Sequence, residues 1–292
     1  MIVDESMQSL LDYGKPDFPF AFYLDDAENP SGRSISWHWH SSLEFSYVSK
    51  GTLICSIAGE EINLSQGDAI FINSGVLHCF TLQKGCVLEN VLFEPEFIAP
   101  KDSRVYLLSV LPYLQSNLHY HIFRNNDDND QYLIKHIADC CAAARLQYSD
   151  SHAALEILTL VLILWNDFIN QYKPISEKQT EHIISVSQVR TRKMLYFIYT
   201  HYNEKIGLSE ISDAAGISER EALRCFFDFT STTPVHFLNT YRLKCAEQLL
   251  RSGNKPISDI ASETGYDNAG YFCKVFRKAY GTSPLQYRKR QP

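Results

Sequence analysis

Between about positions 18 and 98 the hydrophobic residues fall in short β-rich runs, at 21–24, 34–40, 43–49, 53–57, 69–72 and 86–93, separated by Gly, Asn, Asp and Pro. Several short strands at this spacing predict a sandwich or barrel. Gly67-Asp68 marks a turn between two of them, and Pro95 and Pro100 end the β region. From 102 to 172 the pattern turns helical. The acidic stretch 127–130 is placed to cap a helix over 131–148, and Ser151 to cap the next. That second helix, through Leu155, Leu158, Leu162 and Trp165, is apolar on nearly every side and must be buried, within its own domain or against a second copy. A polar stretch over 172–186 reads as a linker. Leu195, Ile198 and Tyr199 then give a helix at 189–203 one apolar face.

The last ninety residues carry one pattern twice. LSEISDAAG at 208–216 reappears as ISDIASETG at 257–265, an offset of 49. Arg224-x-Phe226 reappears as Lys274-x-Phe276, now offset by 50, so the second copy has one extra residue in its turn. Thr233-Pro234 with Phe237 and Ser283-Pro284 with Tyr287 close the two copies. A short helix, a Gly turn and a second helix bearing Arg or Lys make a helix-turn-helix, and two of them predict two readers of DNA. In the first, Leu208, Ile211 and Ala215 form the buried stripe, Gly216 makes the turn and Ser218 caps with Glu221 as a capping box. Leu223 and Phe226 then face the core, which leaves Glu219, Arg220 and Arg224 for the groove. In the second, Ile257, Ile260 and Ala261 are the stripe, Gly265 the turn and Asp267 the cap. Its recognition helix offers Asn268, Ala269, Gly270, Tyr271, Lys274, Arg277 and Lys278, with Phe272, Val275 and Phe276 inward. Arg and Asn suit base edges, Glu219 a cytosine amine, and the later Lys and Arg phosphates. A helix over 234–251, ended by Ser-Gly-Asn, would span about 27 Å against the roughly 34 Å between major grooves on one face of a duplex.

Charge sharpens this picture. The net charge of −7 conceals a split: 181–292 holds 16 Lys and Arg against 11 Asp and Glu, or +5, leaving −12 for the rest. A basic C-terminal region on an acidic body is expected when only one part meets phosphate. Eight scattered Cys without CxxC pairs, no signal-like N-terminus and an apolar run at 153–165 too short for a bilayer predict a reduced, cytoplasmic chain with no membrane partner.

The segment ISEREALRCF at 217–226 and GYDNAGYFCKVFRKAYGTSPLQYR at 265–288 resemble the two recognition motifs of the AraC/XylS family of bacterial transcription regulators. Ser231 departs from the pattern, standing where the second copy has Gly281. Upstream, Gly32-x5-His38-x-His40-x3-Glu44-x6-Gly51 resembles the first cupin motif, and Gly67-x5-Asn73-x-Gly75-x2-His78 the second, with Asn73 and Leu82 departing from it. The resemblance implies an α+β chain: a cupin-like effector barrel at 1–100, a helical dimerisation and linker region at 101–180, and a DNA-binding domain of two helix-turn-helix units joined by a long helix at 181–292. It implies a homodimer that binds double-stranded DNA and a small-molecule effector, sugars among them, and that controls carbohydrate or other small-molecule metabolism genes. His38, His40, Glu44, Tyr47 and His78 are the expected effector pocket. No cofactor is required, but His38, His40, Glu44 and His78 are a donor set for a divalent transition metal. Alternation puts His38 and His40 on one side of a strand and Trp37 and Trp39 on the other. Metal site, metal-free ligand pocket and structural remnant all remain open. Phe45, Phe71, Phe80 and Phe93 could wall the pocket, though alternation sends about half outward. The alternative function is a metal-dependent cupin enzyme, an isomerase or dioxygenase, with accessory DNA binding; a regulator that is not an enzyme is favoured. Within the DNA-binding domain the first unit is expected to read the promoter-specific bases and the second to anchor on phosphates.

Overall fold

A computed structural model describes residues 18–28, 34–147, 151–172, 186–253 and 255–289, in two compact units, 1–186 and 187–292. Gly32 of the first cupin motif, most of the expected linker, Asn254 and Arg290 lie outside the described residues.

The first unit is built on two antiparallel sheets. One has the order β1 (Phe20–Asp26), β8 (Val87–Phe93), β3 (Leu43–Lys50), β6 (Ala69–Ile72), β9 (Tyr120–Phe123). The other runs β2 (Ser34–His38), β7 (His78–Leu82), β4 (Thr52–Ile57), β5 (Glu60–Ser65). Alternation along the strands makes two cores. Val48, Leu53, Ile57, Ile70, Ile72, Phe80 and Leu88 fill the space between the sheets. Phe45, Phe71, Phe93 and Phe123 point the other way, beneath the helices α1 (Arg104–Ser109), α2 (Leu111–Leu114), α3 (Gln131–Gln147) and α4 (Ser151–Gln171). The barrel and these helices are therefore one unit with a shared core. The sequence pattern missed three strands. β5 reads EEINLS and buries only Ile62 and Leu64; β7 and β9 are short and recognisable only from the neighbours they pair with.

On α4 the buried face is Ala153, Ile157, Val161, Leu164, Trp165 and Phe168. Leu155 and Leu162, expected to be buried, are 70% and 38% exposed beside exposed Ile163. The helix is thus amphipathic in placement, with an outer apolar face that the described residues leave uncovered. It is also longer than its apolar run: 153–171 is long and apolar enough to cross a membrane by length and composition, although its inner face lies in the core.

The second unit holds α5 (Val186–His201), α6 (Leu208–Ala214), α7 (Glu219–Thr230), α8 (Pro234–Ser252), α9 (Ile257–Glu263), α10 (Ala269–Tyr280) and α11 (Pro284–Lys289). The helix α8 is the spine. Its Leu243, Ala246 and Leu250 pack with Ile260, Ala261, Tyr266, Phe272 and Phe276 of the second helix-turn-helix. Phe237, nearer its start, meets Phe226 of the first at 5.5 Å. Gly253 ends α8 in extended backbone (φ −173°), not in the left-handed turn expected of a helix-ending Gly. Three local expectations change. Leu223 is 37% exposed, because Ala222, Cys225 and Phe226 occupy the inward face of α7. Val275 is only half-buried. The cap of α10 is Asn268, whose Oδ1 accepts from the Tyr271 amide at 2.9 Å, not Asp267. Ser218 caps α7, so the caps are 50 apart and the extra residue of the second copy falls between Gly265 and the helix it precedes.

Candidate nucleic-acid interface and candidate effector site

The two recognition helices present matching outward faces. On α7, Ser218, Glu219, Arg220, Leu223, Arg224, Phe227 and Asp228 are exposed. On α10, Asn268, Gly270, Tyr271, Lys274, Arg277 and Lys278 are exposed and Ala269 is half-buried. The inward stripes are Ala222, Cys225 and Phe226 on one helix, and Phe272 and Phe276 on the other. Every side chain proposed from the sequence to meet DNA therefore lies on an outward or edge position. Glu221, expected to close a capping box on α7, has other partners. Its amide donates to Ser218 Oγ, while its carboxylate accepts from Arg190 of α5 at 2.5 Å and lies 3.7 Å from Arg224. It braces the helix against α5 and does not close a capping box. Asn268 spends its Oδ1 on the helix cap, which leaves its Nδ2 as the donor for a base or a phosphate.

The two turns are set by glycines in the left-handed region, Gly216 at φ +66° and Gly265 at φ +79°. At Gly265 a Cβ would sit 2.5 Å from the Tyr202 carbonyl oxygen and 2.8 Å from Arg242 Nε, so the position excludes any side chain twice over. Arg242 of α8 is buried there. Its Nε donates to the Tyr202 carbonyl and its Nη2 to the Glu204 carbonyl, both at 2.6 Å, and its guanidinium lies over the Tyr266 ring. This single side chain ties the loop before the first helix-turn-helix to the turn of the second. The sequence pattern did not single it out, since an Arg within a basic domain reads as one more surface charge.

In the first unit, His38 at the end of β2, His40 in the connection beyond it, Glu44 on β3 and His78 on β7 converge, with their ligand atoms all within 4.8 Å of one another. All four are 3% exposed or less. A bulge in β2 between Ile35 and His38 brings His38 opposite His78. Each imidazole is anchored the same way: Nδ1 of His38, His40 and His78 lies 2.9, 3.1 and 2.9 Å from the carbonyls of Ser36, Ser42 and Val76. A carbonyl only accepts, so each Nδ1 carries a hydrogen, and each ring turns its Nε2 toward the centre. Glu44 Oε2 lies 2.8 Å from His40 Nε2 and 3.2 Å from His78 Nε2. The His78 contact lacks hydrogen-bond geometry, leaving that nitrogen buried and unbonded among the described residues. Burial first, then His78 and His40, pushes the His38 imidazole well below the ordinary histidine range. Burial by itself would raise the Glu44 carboxyl, but His78 and His40 hold it well below the ordinary carboxylate range. Several lone pairs and a carboxylate at such distances repel unless a proton or a cation lies among them. The donor set therefore fits a divalent transition metal, and its backbone anchors are the kind that orient metal-bound imidazoles.

Residues 211–290 match the helix-turn-helix domain family and residues 27–85 the cupin domain family. The chain pairs a cupin domain with a helix-turn-helix domain of the AraC type. Along nearly its whole length the regulator is similar to YdeC, an uncharacterised HTH-type transcriptional regulator of Bacillus subtilis, with 27% identity over 293 residues covering 99% of this chain and 98% of that one. An uncharacterised HTH-type regulator of Staphylococcus aureus is 23% identical over 252 residues, but the chain spans only 32% of its length. Among solved structures, the C-terminal domain of AraT, a response regulator from Geobacillus stearothermophilus, is 30% identical over 35% of this chain and 87% of that one, with a TM-score of 0.34. With its helix-turn-helix domain and these regulator relatives, the chain is a DNA-binding transcription regulator.

Within the regulator's cupin unit, two expected pocket features lie elsewhere. Tyr47 sits on the face of β3 opposite Glu44 and packs into the core beneath the helices, beside Glu89 and Cys141. Phe45, Phe71 and Phe93 share that outer core, and only Phe80 of the named rings is inside, 5.7 Å from His78. Asn73 has a structural reason to replace the family's Pro: its Nδ2 donates to the Tyr113 and Leu118 carbonyls at 2.8 and 2.9 Å. Ser46 and Asn90, which the motif spacing gave no reason to notice, back the site. Ser46 Oγ lies 2.6 Å from Glu44 Oε1 and 2.8 Å from Asn90 Oδ1, and Asn90 Nδ2 donates to Asp25.

Proposed function

We propose that this regulator controls its promoter in response to a small molecule bound at the His38, His40, Glu44 and His78 cluster, with a divalent transition metal held by those four side chains. The observation that carries the proposal is the common Nδ1 anchoring of three imidazoles, which aims their Nε2 atoms at one carboxylate. A metal there would supply Lewis acidity toward an oxygen-bearing effector such as a sugar. The protein's own part is to fix the tautomers, keep His38 neutral and keep Glu44 ionised. The two recognition helices then read double-stranded DNA. Ser218, Glu219, Arg220 and Arg224 serve the first half-site, and Asn268, Ala269, Gly270, Tyr271, Lys274, Arg277 and Lys278 the second. The regulator acts in the cytoplasm as a homodimer, on genes of carbohydrate or other small-molecule metabolism.

Linkage sets the test. A ligand of the cupin unit controls DNA binding only if it favours one state, and its effect on DNA affinity must equal the effect of DNA on its own affinity. The experiment measures metal content of protein purified without chelator, then affinity for DNA selected from a random pool, with metal present and stripped. We expect about one metal per chain and a several-fold change in DNA affinity on stripping, absent in His40→Ala. Lys274→Ala should weaken binding and lower the slope of log affinity against log salt by about 1. Identical DNA affinity with and without metal would remove the metal from the mechanism, and an unchanged salt slope in Lys274→Ala would remove the assignment of α10.

A further inference from the structure

Resting on the assignment of α7 as a recognition helix, we infer that Leu223 and Phe227 determine sequence specificity there by apolar contact with thymine methyl groups in the major groove. The two are 37% and 56% exposed, although both are large and apolar. A single exposed apolar side chain needs no explanation. This pair is different because of its place. Arg220, Leu223, Arg224 and Phe227 follow one another at i, i+3, i+4 and i+7, one stripe down the helix. That stripe lies opposite the buried Ala222, Cys225 and Phe226.

The internal repeat shows what the stripe is for. At an offset of 50, Arg220, Leu223, Arg224 and Phe227 correspond to Gly270, Cys273, Lys274 and Arg277, and Asp228 corresponds to Lys278. The second helix thus carries Lys274, Arg277 and Lys278 where the first carries Arg224, Phe227 and Asp228. Counting Glu219 and Arg220, the outward face of α7 has no net charge, so phosphate attraction cannot be its main contribution. What it offers instead are two apolar surfaces beside two guanidinium groups. Thymine is the one base that presents a methyl group in the major groove, and apolar side chains are its partner there, as Arg is the partner of guanine. The expected half-site of the first helix-turn-helix is therefore a guanine or two flanked by thymines. Its affinity should depend less on salt than that of the second half-site.

The full-length protein tests this on DNA selected from a random pool. Each thymine of the selected site is replaced in turn by deoxyuridine, which removes only the methyl group. Wild-type protein should lose about fourfold affinity at one or two thymines of one half-site, the effect of exposing one buried methyl-sized group. Leu223→Ala and Phe227→Ala should bind the thymine site more weakly and no longer distinguish thymine from deoxyuridine at those positions. Their salt slope should match wild type. Phe227→Arg, which installs the side chain type of its repeat partner Arg277, should steepen that slope by about 1 and also lose the methyl dependence. Both positions are exposed, so thermal melting should be near wild type, and Phe227→Met should keep part of the methyl dependence. The inference is overturned if either alanine variant keeps wild-type affinity, or weakens binding while the thymine-to-deoxyuridine ratios stay unchanged. It is equally overturned if the variants alter only oligomeric state, which would mean that the pair packs against protein. Lys274→Ala separates the two failures: if it weakens binding and the α7 variants do not, only this inference falls.

Discussion

Asp25 carries a strain that none of the motifs hints at. Burial, then the nearby Glu44 charge, pushes its carboxyl up to about 6, against the opposing hydrogen bond from Asn90. A carboxyl whose folded pKa lies above its unfolded value binds its proton more tightly when folded. Its stabilising effect is therefore greatest below the unfolded pKa, about 4, and is lost as pH rises through about 6. Asp25→Asn, which still accepts from Asn90, should leave stability at pH 4 nearly unchanged and raise it at pH 7 by about 1–3 kcal/mol. Denaturant melts at the two pH values check this, and equal effects at both would show that the carboxyl is not perturbed. The cluster members, by contrast, were legible in the sequence: the spacing of His38, His40, Glu44 and His78 singled out four residues that the fold brings together. Tyr47 was misjudged because a one-residue step along β3 reverses the face, and only the sheet's partners reveal which face is inside. Ser46 and Asn90 were invisible for the same reason, since Asn90 arrives from a strand over forty residues away.

At the scale of elements, the helix ends show how local signals and tertiary needs divide. Ser231 lacks the family's Gly, yet it adopts the same left-handed conformation as Gly281, with φ 53° against 71°. Each amide accepts the same duty, donating to the carbonyl four residues back, Phe227 and Arg277, at 2.9 Å. The turn into the next helix dictates this geometry, and a side chain at Ser231 bears the steric cost. Ser231→Gly should therefore stabilise the chain by about 0.5–1 kcal/mol, the relief of a left-handed non-Gly residue less the added freedom of the unfolded chain. A rise in the denaturant midpoint at constant slope is the expected sign, and a fall would mean that Ser231's own contacts outweigh its backbone cost. Helix periodicity predicted α3, α5 and α8 to within a few residues. It misassigned Leu223 because two adjacent positions, 222 and 223, both satisfy a loose apolar stripe. Only the tertiary packing of α7 decides that Ala222, and not Leu223, turns inward.

For the whole molecule, the outer face of α4 bears on assembly. Leu155, Leu162 and Ile163 are exposed on it, and half-buried Leu158 lies between them. The homodimer proposed above would seat two copies of this face on each other, because one helix offering the same apolar face in each copy satisfies a two-fold interface. Leu155→Glu with Leu162→Glu should shift sedimentation toward the monomer while leaving the fold intact, since both sites are exposed. An unchanged sedimentation profile would show that this face does not join two copies.

The sequence by itself determined what is local and repeated: the two helix-turn-helix units, their Gly turns, the one-residue slip and the charge split between the two parts of the chain. These follow from backbone geometry and side-chain periodicity within a dozen residues, which no distant neighbour needs to supply. The tertiary structure alone decided the buried face where the pattern was ambiguous, as on β3, α4 and α7. It thereby decided which histidine nitrogens turn toward Glu44, why Gly265 admits no side chain beside Arg242, and why α7 shows Leu223 and Phe227 outward. Burial depends on partners brought together from far along the chain, and such partners leave no trace in the spacing of the residues they cover.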